Sequence, residues 1–355
     1  MFFKGIGTAT PPRRYTKADC WSAFQASEWF ARLDRRSHAI AETVLLRDNG
    51  ISARRLALDS LADVFAIDPD TLQRRFTTHA PALATEAAAA AMRDADIGPR
   101  DIDAIVVSTC TGYLCPGLTS YLAERLGLRS SVQAFDLVGQ GCVAALPNLR
   151  LSNALIAGGA GEHVLSVCVE VSSAAMYLDN DPGVLISACL FGDGAGAAVL
   201  CAQSPKHKRR IEWRGGSSVL EPSQRDALRF EQRGGMLRNI LTRPVPALAA
   251  EHASTVLDAA LSRAHLTIPD IVTWIMHAGG RDVLQALRER IGLSVDDLRY
   301  SAAILDEYGN MSSAFVYFVL KSALEDSARP GWWWMSAFGA GFSCHGALLA
   351  VGARE

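Results

Sequence analysis

Ala95-Asp-Ile-Gly-Pro-Arg-Asp-Ile-Asp-Ala-Ile-Val-Val107 decides the fold, because its pattern returns later in the chain. Taken alone, it closes an alanine-rich helix over Leu83 to Asp94, breaks at Gly-Pro, and enters a short β-branched strand over Ile102–Ser108. Ala264-His-Leu-Thr-Ile-Pro-Asp-Ile-Val-Thr-Trp-Ile-Met276 repeats this unit without a gap, and the helix before it aligns Ala253-Ser-Thr-Val256 with Ala84-Thr-Glu-Ala87. One such match means little, since helix-then-strand units resemble each other. Two more follow in the same order. Gly141-Cys142 pairs with Gly309-Asn310 at nearly the same separation, and Phe191-Gly-Asp-Gly-Ala-Gly196 is echoed by Phe338-Gly-Ala-Gly-Phe-Ser343. Ordered matches of this kind indicate a duplicated α/β unit. Ala154-Leu-Ile-Ala157 and Val164-Leu-Ser-Val-Cys-Val-Glu170 read as further buried strands. Ser204-Pro-Lys-His-Lys-Arg-Arg210 is a proline-and-charge break, taken as a solvated junction between halves at 1–205 and 206–355. The duplication sets Cys142 and Asn310 at equivalent places facing the seam, where a shared site can form.

Composition narrows the class. The chain has 355 residues, 49% hydrophobic and 20% charged, which is ample for a large core. Its 35 basic and 37 acidic residues give a net charge of −2, without the basic bias of a nucleic-acid binder. The eight cysteines lie scattered with no Cys-x-x-Cys pair, so neither a zinc site nor a disulfide framework is indicated. The start, Met-Phe-Phe-Lys-Gly-Ile-Gly-Thr8, is too quickly broken for a signal peptide, and no apolar run reaches the roughly 20 residues of a membrane helix. A soluble, cytoplasmic protein with reduced thiols is expected. No Walker loop, dinucleotide fingerprint or metal-ligand cluster occurs, and Gly339-Ala-Gly341 is too short to count as one.

Three glycine-marked segments carry chemistry. Cys142 sits in Gln140-Gly-Cys-Val-Ala-Ala145, at the start of an apolar helix. Structural burial is the usual fate of a cysteine. A helix N-terminus, however, favours the thiolate and hence a nucleophile. His277 ends the strand Ile271–Met276 and precedes Ala-Gly-Gly280, the kind of place where α/β folds display catalytic groups. A structural histidine is the plainer alternative. Asn310, in Glu307-Tyr-Gly-Asn-Met-Ser-Ser-Ala314, is either a helix cap or an amide aimed into a cleft. Thiol, imidazole and carboxamide together suit an acyl group carried on cysteine, with two donors for a thioester oxyanion.

The three segments resemble, almost word for word, the active site of the type III polyketide synthases, the chalcone synthase-like enzymes of the thiolase superfamily. The similarity runs from Gly5-Ile-Gly-Thr-Ala-Thr-Pro-Pro12 through Cys110-Thr-Gly112, Pro116-Gly117 and Leu190-Phe-Gly-Asp-Gly194 to Phe338-Gly-Ala-Gly341. The resemblance implies a duplicated thiolase-like αβαβα five-layer sandwich, acting as a homodimer. It implies an acyltransferase that condenses malonyl-CoA, with decarboxylation, onto an acyl-CoA starter held on Cys142, and then cyclises the chain to a pyrone, resorcinol or related product. His277 and Asn310 would stabilise the malonyl enolate, and Phe191 would be a gatekeeper between CoA tunnel and cavity. CoA thioesters would be substrates, and no metal or other cofactor is implied.

Other positions bear on the substrate. Cys110, Cys115, Ala175, Ser187 and Ser312 fall among the family's cavity residues, Ala175 and Ser187 where plant enzymes often have Thr and Gly. Aligning Gly235–Leu241 with the family places Arg238 at a second gatekeeper phenylalanine. Arg47, Arg54 and Arg55 fall near the CoA-binding region, where arginine suits phosphates; solvated helix ends explain them equally well. These departures turn the expected starter away from a plant-like coumaroyl group and towards a fatty acyl chain, as in many bacterial members. Two other functions fit less of the sequence. One is a single condensation on a carrier protein, as in β-ketoacyl-ACP synthases III, which typically differ after the Asn. The other is a non-catalytic acyl-CoA-binding or partner subunit.

Overall fold

A computed structural model describes residues 1–159 and 161–353. Nine strands make its main sheet: β1 (Phe2–Ala9), β2 (Ala104–Ser108), β3 (Gln133–Leu137), β4 (His163–Glu170), β5 (Gly194–Cys201), β6 (Ile211–Leu220), β7 (Ile271–Met276), β8 (Gly331–Gly339) and β9 (Ser343–Val351). Their order is β7-β8-β9-β6-β1-β5-β4-β2-β3. The seam is a single bridge between β1 and β6, Phe2 opposite Glu212. Outward from it, the first three strands on each side alternate in direction, and the next runs parallel to its neighbour: β4 with β2 on one side, β8 with β7 on the other. The two halves therefore share one topology, and β3 is an addition to the first.

Four helices build the layers: α1 (Pro69–Ala95), α2 (Ala145–Ala157), α3 (Val245–Ala264) and α4 (Phe315–Glu325). α1 covers β1, β5 and β4, and α3 covers β9, β6 and β8. α2 and α4 each touch strands of both halves and so lie between them. The result is an αβαβα arrangement. α1 packs closely because the side chains it turns to the sheet, Ala80, Ala84, Ala87, Ala88 and Ala91, are small and fully buried. A leucine at Ala87 would overpack this contact, at about 1–3 kcal/mol. Among the described residues, no helix is long and apolar enough to cross a membrane.

The repeated Asp has a local cause. α1 and α3 both end in a left-handed residue, Asp96 and His265, each at φ 53°. A short turn follows, and Asp101 and Asp270 cap it by accepting the backbone N–H of Gly98 at 2.8 Å and of Thr267 at 2.7 Å. One reading of the sequence is corrected: Ala154–Ala157 is the last turn of α2, not a strand. A four-residue apolar run does not distinguish the two; here Ile156 packs on the cluster of Leu146 and Leu149, while Ala154 and Ala157 are exposed.

Candidate active site

Cys142 lies in the tight turn Gly141–Val143 that opens α2, between the two halves. Gly141 adopts φ 62°, and its counterpart Gly309 adopts φ 69°. Both steps need the left-handed region, which explains why the repeat keeps Gly before both Cys142 and Asn310. Burial pushes the half-buried Cys142 thiol up to about 12, with a hydrogen bond from Ser312 opposing it. Desolvation thus works against the thiolate that a helix N-terminus favours.

Asn310 is held from both ends. Its Oδ1 accepts the Ser312 N–H at 2.8 Å, and Nδ2 donates to the Gly279 carbonyl at 3.2 Å. This leaves one amide hydrogen free. The backbone joins the Phe191 segment: Gly192 N–H donates to Asn310 O at 2.9 Å, and Asn310 N–H to Leu190 O at 3.0 Å. His277 follows β7, and its N–H extends the ladder to Ser336 O at 2.9 Å. The ring stands edge-on to Phe315 and Phe338, with centroids 5.3 and 5.2 Å away. It is only 1% exposed, and neither ring nitrogen has a hydrogen-bond partner. Burial lowers its pKa to about 3, so the imidazole rests neutral.

A carboxylate that sequence reasoning missed sits beside the thiol. Glu170 ends β4 and is fully buried. It accepts from Thr111 Oγ1 at 2.9 Å, from the Cys110 N–H at 3.0 Å, from Cys110 Sγ at 3.4 Å and from Ser313 Oγ. Ser312 Oγ lies 3.3 Å from both Cys142 Sγ and Glu170 Oε1, and its single hydrogen serves one at a time. Burial pushes the Glu170 carboxyl up, while its hydrogen bonds pull it down. The signal was available in the sequence: an acidic residue closing an otherwise buried apolar strand is rarely left without partners.

Cys110, Ala175, Ser187, Phe191 and Ser312 line one narrow cavity of about 30 Å³. Leu56, Met176 and Ala188 are shared between it and a second, apolar chamber of about 40 Å³, also lined by Phe24, Leu45 and Leu185. Cys110, Thr111 and Phe230 are shared with an open cleft that reaches Gly139 and Gly141. Cys115 lies exposed at the surface, away from the cavity lining.

Arg238 and Arg54 do not offer the guanidinium groups that the resemblance implied for the tunnel and for CoA. Arg238 faces away from the cavity and bonds Asp179 at 2.8 Å, Glu231 at 3.0 Å and Asp181 at 3.2 Å. Side chains alternate along a strand, so it is Asn239, paired across the ribbon with Phe230, that lines the cavity. Arg54 is buried and donates to the Ala188 and Phe191 carbonyls at 2.8 and 3.0 Å. It braces the backbone of Phe191 and has no free face for a CoA phosphate. Arg55 pairs with Glu307 at 3.2 Å and lies over the Tyr308 ring. Arg47 is exposed, and its carbonyl accepts from Lys17 Nζ at 3.0 Å.

The model of the FAE1/type III polyketide synthase-like family matches residues 11–222, and that of the chalcone and stilbene synthase C-terminal domain matches residues 221–352. The chain belongs to the type III polyketide synthases. It is thus an acyltransferase with a thiolase-like fold. The chain is 29% identical over 334 residues to the 3,5-dihydroxyphenylacetyl-CoA synthase of Streptomyces toyocaensis, covering 92% of this chain and 84% of that protein. PKS-I of the brown alga Ectocarpus siliculosus superposes with a TM-score of 0.89 at 25% identity, over 98% of this chain and 97% of that one. The 1,3,6,8-tetrahydroxynaphthalene synthase of Streptomyces coelicolor A3(2) shares the fold, with a TM-score of 0.88 at 21% identity over 99% of both chains.

Proposed function

We propose that this polyketide synthase loads an acyl starter on Cys142 and extends it with malonyl-CoA under the direction of His277 and Asn310. The observation that carries this reading is the pair of unpartnered nitrogens on a fully buried His277, one loop away from the oriented Asn310 carboxamide. Thiol and imidazole both rest neutral. Loading moves the thiol proton to His277, so each new charge offsets the other as the sulfur attacks the starter thioester and CoA leaves as the thiol. Malonyl-CoA then loses CO₂. The electron pair passes to its thioester oxygen, where the free Asn310 N–H and a His277 N–H donate. The enolate carbon attacks the Cys142 thioester, releases the sulfur, and returns the lengthened chain as a CoA thioester for the next cycle. Incubation with a starter acyl-CoA should add its acyl mass to Cys142 and not to a Cys142→Ser chain. Adducts confined to Cys110 or Cys115, with Cys142→Ser still condensing, refute the assignment.

The starter we favour has an apolar tail, because the chamber behind Leu56, Met176 and Ala188 is apolar and adjoins the cavity. Each buried CH₂ adds about 0.8 kcal/mol, so priming should strengthen along a series of saturated acyl-CoAs until the space is full. Acetyl- or malonyl-CoA priming best would refute it. The Streptomyces toyocaensis relative bears the name of a synthase for an aromatic acyl-CoA, which supports ring closure as the final step. Arg47 beside Lys17 is the basic pair left for CoA phosphates. The homodimer is supported by exposed Tyr113 and Val138, 68% and 54% accessible, which border the open cleft beside Cys110 and Gly141.

A further inference from the structure

We propose that the Asn239 carboxamide, with the Ser172 hydroxyl, receives the keto groups of the growing chain and so sets how many malonyl units are added. This rests on the reading of the cavity as the chain-holding site. Asn239 is 8% exposed, and its Oδ1 is buried without a hydrogen-bond partner. Ser172 Oγ is in the same condition. Both residues line the cavity that also holds Cys110, Phe191 and Ser312, and their segments, 236–241 and 172–175, pack against each other. Buried polar atoms are nearly always paired in folded proteins, so two orphans in one cavity mark a place where something polar is meant to dock.

Arg238 explains why the carboxamide points inward. Its three carboxylate partners, Asp179, Asp181 and Glu231, hold it on the outer face of the ribbon Leu228–Arg233 and Met236–Leu241. Alternation along the strand then turns Asn239, and Phe230 opposite it, to the cavity. Much of the remaining lining is apolar: Leu56, Met176, Val184, Ala188, Phe191 and Phe230. Those side chains suit an alkyl tail, and among the polar residues that share the lining Asn239 and Ser172 are the ones with a buried atom left unpartnered. Every extension adds one ketone. The starter has none, so Asn239 should matter only once the chain carries keto groups. A carboxamide suits this task because Nδ2 donates to a ketone and Oδ1 accepts from its enol.

The test compares wild type with Asn239→Leu and Ser172→Ala, using hexanoyl-CoA and malonyl-CoA. Products are sorted by number of malonyl units by mass spectrometry, and the hexanoyl adduct on Cys142 counts the folded, competent enzyme. Leucine keeps the size and removes the polar atoms. Per adduct formed, the ratio of longer to shorter products should fall about threefold to tenfold in Asn239→Leu, the worth of one hydrogen bond. Ser172→Ala should shift it in the same direction. An unchanged ratio in both variants, or a shift to longer products, overturns the inference while the Cys142 reading stands. A wild-type chain that forms no adduct on Cys142 overturns both. If Asn239→Leu fails to fold, Ser172→Ala decides alone.

Discussion

Asn310→Ala separates the two halves of the chemistry most cleanly. The amide is already oriented by the protein, with Oδ1 on the Ser312 N–H at 2.8 Å and Nδ2 on the Gly279 carbonyl at 3.2 Å. Only one of its hydrogens is free, and that is the donor that the proposed mechanism offers to the malonyl oxyanion. Its removal should cost one oxyanion donor, about 2.7–4 kcal/mol, or roughly 10²–10³ in the rate of decarboxylation. The substitution also frees the Ser312 N–H and the Gly279 carbonyl inside the protein. Each unpaired group costs about 1–3 kcal/mol of stability, so the melting temperature should be followed in parallel. Two assays are needed. One follows CO₂ release from malonyl-CoA, and the other follows acyl mass on Cys142 from the starter. The first should collapse and the second should survive within about tenfold, since attack by the thiol does not require the Asn310 donor. Equal losses in both assays, in a chain that still melts cooperatively, would refute the assigned role. Loss of loading with decarboxylation intact would reverse the division of labour.

Other outcomes are equally open to measurement. His277 rests near pKa 3 by burial, against 6.5 when unfolded, so the folded chain holds fewer protons between those values. Its contribution is whole above pH 6.5 and is lost as pH falls towards 3, on the order of 4–5 kcal/mol; His277→Gln should flatten the acid limb of stability against pH. An unaltered acid limb would show an imidazolium already paired with the Cys142 thiolate. Gly309→Ala should lower the unfolding free energy by about 1–3 kcal/mol, read as a lower urea midpoint, because φ is 69° and the new Cβ would lie 2.8 Å from the Leu190 carbonyl. An unchanged midpoint would mean that the turn relaxes freely. Arg238→Leu leaves three carboxylates facing one another and should cost about 1–3 kcal/mol, less than a fully buried pair because Asp179, Asp181 and Glu231 are partly solvated. Product lengths should shift with it as Asn239 loses its anchor; intact stability and products would show that the cluster is only a surface network.

Sequence by itself determined the duplication and the residues to watch. Helix ends, left-handed glycines and Asp caps are local requirements, and these recur: Gly141 with Gly309, Asp101 with Asp270. A short-range rule leaves the same residue in both halves, so the repeat was legible without coordinates. What only the tertiary structure decided is where side chains point and what surrounds them. Arg238 and Asn239 differ by one place along a strand, and a one-residue error of alignment turns a cavity residue into an outward one. Ala154–Ala157 is helical because of the turn it continues, which four apolar residues do not reveal. Burial raises the Cys142 thiol against the opposing Ser312 hydrogen bond, and the Glu170 carboxyl is gathered into a network with Cys110, Thr111, Ser312 and Ser313, groups far apart in the chain. Desolvation and hydrogen bonding act through space, and that distance-dependent field is set only once the two halves close on each other.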